Sequence, residues 1–343
     1  MLVIDGSAGE GGGQVLRSSL ALAMLTGQAF RIEHIRARRD NPGLRQQHLT
    51  AVRAAQAVCG ATVAGDIVGS RELTFEPGPV RPGDYHFPVG TAGSTTLVLQ
   101  TVLPALMIAD AASHLTLEGG THNPWAPPFD FIEKAFLPLL QRMGFRVTAT
   151  LVRPGFYPAG GGRVEVAIEP PAALEPLALL ERGDVLEPSA RAIVARLPPH
   201  IARRELAVVA AKLGWPEEAL QAETVEAAGP GNVLLLAVRC AHVTELFTGF
   251  GQRGVPAEKV AESAVAECRD WLDRNIPVGP HLADQLLLPL ALAGGCVRTG
   301  PLSGHTRTNA DLLGRFLDVG LTLRECGGDS WEIAVSAPHV GRQ

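Results

Sequence analysis

Lysine is scarce in this chain. Only three of the 30 basic residues are lysines, Lys134, Lys212 and Lys259, and the rest are arginines. None of the three sits in a glycine-rich phosphate loop, and none is followed by Asp-Gly. Walker-type NTPases and transferases with a lysine nucleophile are therefore poor fits. Paired cysteines are missing as well. Cys59, Cys240, Cys268, Cys296 and Cys326 are odd in number, and no two stand in C-x-x-C spacing. That excludes a disulfide frame or a cysteine zinc site and reads as reduced thiols. Residues 1–13 hold neither a basic start nor an apolar run, so they do not read as a signal peptide. The longest apolar stretch near the end, residues 286–297, is broken by Pro289. At about twelve residues it falls short of the roughly twenty that a membrane span needs. The expectation is a soluble, cytoplasmic protein.

What is present supports a large core. The chain has 343 residues, of which 46% are hydrophobic and 19% charged. This excludes a disordered chain and is length enough for about two domains. The net charge of −5 argues at first against nucleic acid as a partner. Its distribution reverses that argument. Residues 31–53 hold Arg31, Arg36, Arg38, Arg39, Arg45 and Arg53 against only Glu33 and Asp40. This segment is +4, and the remainder of the chain is −9. Arginine forks match phosphate oxygens two at a time. The cluster surrounds the loop Asn41-Pro42-Gly43-Leu44 before an expected helix, so we read it as a phosphate grip rather than a solvated charge run.

Three segments repeat one pattern. Residues 11–27, 93–110 and 279–294 each open on glycine, carry a glutamine and continue as an apolar helix-like run. A short strand follows each, at residues 30–35, 114–117 and near 296–297. A second amphipathic helix follows in turn, expected at 45–59, 129–143 and 308–319. Gly11 and Gly93 are 82 residues apart, and Gly93 and Gly279 are 186 apart. The excess of 104 residues predicts an insertion near residue 175. Pro170-Pro171 and Ile276-Pro277 mark its edges, and residues between them alternate strand and helix signals. The expected architecture is α/β (α+β). Three repeated βα units form a discontinuous main domain, 1–175 with 277–343, and a small α/β domain, 176–276, is inserted before the third unit.

Two further loops attract attention on residue chemistry. Residues 5–14 are glycine-rich and precede a helix, an arrangement that either binds anions or makes a tight strand-to-helix turn. Glu10 in that loop would repel a phosphate unless it holds a divalent metal, and Arg17 lies just inside the helix. His305 follows Gly304 and precedes an expected helix start at Thr308 or Asn309. A largely neutral imidazole can attack phosphorus, although a lone histidine is more often structural.

Ordered motifs along nearly the whole chain then resemble the RNA 3′-terminal phosphate cyclase family. They are Asp5-Gly6, Gly9-Glu10-Gly11-Gly12-Gly13-Gln14-Val15-Leu16-Arg17, and Ile35-Arg36-Ala37-Arg38-Arg39. Pro42-Gly43-Leu44, Gln47-His48-Leu49, Gly90-Thr91-Ala92-Gly93-Ser94 and Ala126-Pro127-Pro128 follow. The glycine-rich residues 155–162, then Leu282-Ala283-Asp284-Gln285 and His305 with Thr308-Asn309 complete the set. The resemblance implies three repeats with an insertion, in line with the spacing. It also implies ATP-dependent conversion of an RNA 3′-phosphate to a 2′,3′-cyclic phosphate. His305 would be the nucleophile and carry AMP. Gln100, His281, Leu282, Ala283, Asp284 and Gln285 would bind ATP, with Ala126, Pro127 and Phe131 near the adenine. Arg17, Arg36, Arg39 and Gln47 would hold phosphates, and Glu10 would hold Mg²⁺ or Mn²⁺. The partner would be RNA with a 3′-phosphate end, with no membrane and no protein partner. His281 stands where relatives carry Tyr, and Pro154 where they carry a basic residue. Residues 155–162 read as a tight β turn away from ligands.

Two other readings compete. A non-catalytic branch of the family serves ribosomal RNA processing, but it lacks the histidine that stands here at 305. An enolpyruvyl-transferase enzyme has similar repeats, but it would use lysines that this chain scarcely has.

Overall fold

In the computed structural model of the chain, residues 1–9, 12–90 and 92–336 are described. Three units share the order β-α-β-α-β-β. The first comprises β1 (Leu2–Asp5), α1 (Gly13–Thr26), β2 (Phe30–Glu33), α2 (Gln46–Cys59), β3 (Thr62–Ala64) and β4 (Leu73–Glu76). The second begins with β5 (Asp84–Pro88), α3 (Thr95–Leu106) and β6 (Ser113–Gly119). It continues through α4 (Phe129–Phe131), a π turn at Ile132–Phe136 and α5 (Leu137–Arg142), then closes with β7 (Arg146–Arg153) and β8 (Gly162–Glu169). The third opens with β9 (Leu177–Leu179). An extra group then intervenes: β10 (Val185–Ala195), α6 (His200–Leu213), β11 (Leu220–Val225), β12 (Gly231–Cys240), β13 (Thr244–Phe250) and α7 (Ala257–Arg274). The third unit resumes with α8 (Pro280–Ala293), β14 (Gly295–Thr299), α9 (Gly304–Phe316), β15 (Leu321–Gly327) and β16 (Ser330–Val335).

The three sheets have one topology: β1-β2-β4-β3, β5-β6-β8-β7 and β9-β14-β16-β15. The first two strands of each are parallel, with Leu2 opposite Phe30, Asp84 opposite His114 and Leu177 opposite Gly295. A parallel pair needs a crossover, and α1, α3 and α8 supply it. The remaining pairings are antiparallel. The extra residues make their own sheet, β11-β10-β12-β13. Because β9 pairs with β14, this sheet interrupts the third unit after its first strand. The three residues of β9 fall inside the segment 176–276 and are too short to carry a periodic signal. Their partner Gly295 takes φ +132, and a Cβ there would lie 2.2 Å from the Leu177 carbonyl oxygen.

Period-two alternation places one face of each strand inward, as in β8, where Val164, Val166 and Ile168 are buried. The long run Val233–Val238 in β12 is buried on both faces, with α6 and α7 packed against it. Phe30 of β2 meets Phe75 of β4 and Phe316 of α9, with ring centroids 5.8 and 6.1 Å apart. This contact joins the first and third units, and a buried ring of this size contributes about 1.5–3 kcal/mol. Helix α1 packs on α2, α3 and α9, and α8 packs on α9. Residues from all three units thereby meet beside the start of α1. No helix among the described residues is long and apolar enough to cross a membrane.

Candidate active site

Helix α9 starts one turn earlier than its sequence suggests. Ser303, not Thr308 or Asn309, is the N-cap, and its Oγ accepts the Thr306 N–H at 3.0 Å. His305 therefore lies in the first helical turn, with an exposed side chain. Thr308 and Asn309 turn inward instead, and both are buried. The loop before α1 comes close to this turn. A Cβ on Gly9, which has φ +56, would lie 2.0 Å from Thr308 Oγ1. A Cβ on Gly13 would lie 2.4 Å from His48 Nε2. Close packing thus explains these two glycines without any anion.

A chain of oriented hydrogen bonds runs from the core to His305. The Gln14 amide donates to both oxygens of Asp284, at 2.8 and 2.9 Å. This directs its carbonyl oxygen, Oε1, to Nδ1 of His305. An amide oxygen only accepts, so in the neutral form of the ring the proton sits on Nδ1 and the lone pair on Nε2. Asn309 also donates to Asp284, at 2.6 Å, and accepts from the Ser18 hydroxyl at 2.6 Å. Burial pushes the Asp284 carboxyl above the usual carboxylate range, opposed by His305, Gln14, Asn309 and Arg17.

A second chain adjoins the first. Arg17 Nε donates to Gln100 Oε1 at 3.3 Å, and Gln100 donates to Gln285 Oε1 at 2.9 Å. Burial lowers the Arg17 guanidinium to about 10, against the pull of Asp284, so it remains a cation at neutral pH. Arg17, Gln100, Asp284, Gln285 and Asn309 edge a cleft between α1, α3 and α8. Leu99, Leu103, Met107, Ile132, Phe136 and Leu288 form its apolar wall.

His48 links the cleft to the arginine loop. Its Nδ1 accepts the Arg45 N–H at 3.0 Å. Burial, with Arg17, Arg36 and Arg45 nearby, lowers its pKa to about 3, so the ring stays neutral. Arg36 has φ +54 and donates to the carbonyls of Asn41 and Gly43 at 2.7 and 3.0 Å. Burial lowers its pKa, and so do Arg45 and Arg39. Arg39 Nη2 lies 3.2 Å from where a Cβ on Gly12 would stand, over the N-cap of α1. Gln47 is exposed in the first turn of α2.

The expected site residues thus fall into three groups. Arg17, Gln100, Asp284, Gln285 and His305 converge directly. Arg36, Arg39 and Gln47 flank the start of α1 and α2. The remaining residues contribute less side chain. Leu282, Ala283 and Phe131 are buried in the core, whereas His281 is exposed in the first turn of α8. Pro127 accepts from Thr96 Oγ1 at 2.7 Å through its carbonyl, and Ala126 precedes it. Glu10 lies outside the described residues. Among the described residues, no group of three or more His, Cys, Asp or Glu is placed to hold a metal ion. Both Asp284 oxygens already accept amide protons, so they do not form an open ligand pair.

Gln14, Ser18, His48 and Asn309 were not singled out in sequence as site residues. One signal was available. Gln14 and Ser18, like His305 and Asn309, are four apart, which places each pair on one helix face.

Comparison with known proteins gives the family. A family profile described as "RNA 3′-terminal phosphate cyclase" matches residues 8–323. The chain is similar to the RNA 3′-terminal phosphate cyclase of Pseudomonas fluorescens, with 54% identity over 324 residues, covering 94% of each chain. The protein of that name from Koribacter versatilis is 53% identical over 327 residues, covering 95% of this chain and 92% of the relative. The one from Salmonella paratyphi C is 48% identical over 330 residues, covering 96% and 95%. The match reaches into all three units and runs across the inserted sheet, and by it the chain belongs to the RNA 3′-terminal phosphate cyclase family.

Proposed function

We propose that this protein converts an RNA 3′-terminal phosphate to a 2′,3′-cyclic phosphate with ATP, through AMP carried on His305. The observation that carries the reading is the Asp284–Gln14–His305 chain, which leaves Nε2 as the ring's open nitrogen. The partner is RNA with a 3′-phosphate end. The free thiols, three of them buried, suit a reducing cytoplasm.

In the first step Nε2 of His305 attacks the α-phosphorus. The N–P bond forms as the bond to pyrophosphate breaks. The ring gains positive charge, which the Nδ1–H passes toward Gln14 Oε1 and the carboxylate of Asp284 behind it. Such prearranged acceptors stabilise charge as it develops. Arg17 and the amides of Gln100 and Gln285 supply charge and donors for phosphate oxygens at the cleft edge. In the second step an RNA 3′-phosphate oxygen attacks the same phosphorus, the N–P bond breaks and the ring returns to neutral. In the third step the adjacent 2′-OH attacks the activated phosphate, loses its proton, and AMP leaves. The ribose holds that hydroxyl in place, so proximity supplies much of the rate.

Mg²⁺ or Mn²⁺ belongs to the proposal as companion of the nucleotide phosphates. The described residues do not furnish a ligand set, so none of these steps is assigned to it.

Incubation with α-labelled ATP tests the reading. A covalent, acid-labile, alkali-stable adduct is expected on the protein and is absent from His305→Ala. An unlabelled wild-type protein overturns the mechanism.

A further inference from the structure

Trp125 is the outlier of the surface. Aromatic residues make up 5% of the chain, and four are tryptophans. Trp271 is buried and Trp331 lies under the guanidinium of Arg307, but Trp125 is 90% exposed. Its backbone adopts φ +62, a costly conformation for a bulky residue.

The loop around it is firmly held. The Asn123 amide donates to the Ala92 carbonyl at 2.6 Å, and Thr96 Oγ1 donates to the Pro127 carbonyl at 2.7 Å. His122, buried, meets Thr121 and Asp130 at 2.8 and 2.9 Å. Trp125 is thus an apolar ring on a rigid support, and the folded chain gives that ring little cover.

The anchors also locate it. Thr96, which holds Pro127, lines the cleft with Arg17, Gln100 and Asp284. Ala92, which holds Asn123, precedes Gly93, and a Cβ there would lie 3.5 Å from Cβ of Gln47. The Trp125 loop therefore bridges the cleft wall and the start of α2. Trp125 itself does not line the cleft. The loop that carries it is anchored to the cleft wall through Thr96 and, through Ala92, beside Gln47.

We propose that the Trp125 indole is a stacking platform for a nucleobase at the RNA 3′ end, and so a positioning residue for the RNA rather than for ATP. The proposal rests on the RNA-end reading above. Stacking tolerates any base, because every base has a π face, so the contact would add affinity with little sequence preference.

The test separates the two substrates. Trp125→Ala should form the labelled AMP adduct at the wild-type rate, with KM for ATP unchanged. Its KM for 3′-phosphorylated oligoribonucleotide should rise by about 5- to 150-fold, the range stacking on one base allows. Trp125→Phe should recover most of the loss, and the penalty should vanish for an oligonucleotide with an abasic 3′-terminal nucleotide. An unchanged KM for RNA overturns the proposal, and so does a raised KM for ATP alone. Direct binding of the same oligonucleotide, followed by tryptophan fluorescence in wild type and Trp125→Phe, does not depend on catalysis. Quenching lost in Trp125→Phe supports the platform even if no adduct forms, and quenching equal in both overturns it.

Discussion

Nδ1 of His305 meets Oε1 of Gln14, a residue 291 positions earlier in the chain. One contact thus joins the first turn of α9 to the first turn of α1, and it chooses the tautomer of the ring. The choice is enforced from behind, because Asp284 takes both oxygens' worth of donation from the Gln14 amide. A glutamine free to flip would offer Nδ1 a donor instead and trap the wrong tautomer.

Gln14→Ala should therefore slow AMP-adduct formation by about 10²–10³-fold, within the span of positioned proton-handling and charge-stabilising groups. Single-turnover labelling with α-labelled ATP measures this directly. Equilibrium binding of ATP should change little, because Arg17 and the cleft wall remain.

Asp284→Asn should give a comparable loss in the same assay. An asparagine presents one acceptor and one donor where two acceptors stood, so Gln14 faces a donor in either orientation of the amide, and Asn309 in one of them. Adduct formation within about threefold of wild type would show that Asp284 does not set the orientation of Gln14.

Arg39→Ala should raise KM for 3′-phosphorylated RNA, with adduct formation unchanged. The dependence of log binding on log salt should become shallower by about one phosphate contact. Arg36→Ala would also release the carbonyls of Asn41 and Gly43, so its effect mixes loop support with phosphate binding.

Glu205 is a source of pH-dependent stability. It is fully buried in α6, accepts from Asn232 at 3.0 Å, and burial raises its pKa to about 7. The folded state then binds its proton more tightly than the unfolded chain does. Its contribution to stability is intact below the ordinary pKa near 4.5 and is lost as pH rises toward about 7. Glu205→Gln lacks this titration. Denaturant midpoints of variant and wild type should therefore shift in the variant's favour between pH 5 and pH 8, and a constant difference would contradict the assignment.

Ser303→Ala should cost about 0.5–2 kcal/mol in urea unfolding by removing the cap on the Thr306 N–H. It should also lower adduct formation, because the turn that carries His305 would fray.

Much of the fold was legible along the chain because it is locally encoded. The glycine-led apolar runs became α1, α3 and α8, and the strands of the extra sheet fall between Gly93 and Gly279, the interval with the 104-residue excess. These signals depend on period and spacing, which neighbouring residues carry. The insertion's true position after β9 was not legible, because three residues hold no period and their pairing with β14 spans more than a hundred residues. The N-cap of α9 was misplaced for a related reason. Ser303, Thr308 and Asn309 are all good caps, and burial of Thr308 and Asn309 against the first unit decides among them.

The site divides in the same way. Residue types alone marked the arginine cluster and His305, and the order of motifs marked Arg17, Gln100, Asp284 and Gln285. Sequence by itself determined which chemical groups this protein has and roughly which helices carry them. Only the tertiary structure decided that Gln14 stands between Asp284 and His305, that Asn309 and Ser18 brace the carboxylate, and that Trp125 is left uncovered. Hydrogen-bond direction and tautomer depend on which atoms face each other within about 3 Å. For residues hundreds of positions apart, that is settled by the packing of α1, α3, α8 and α9, and no local pattern records it.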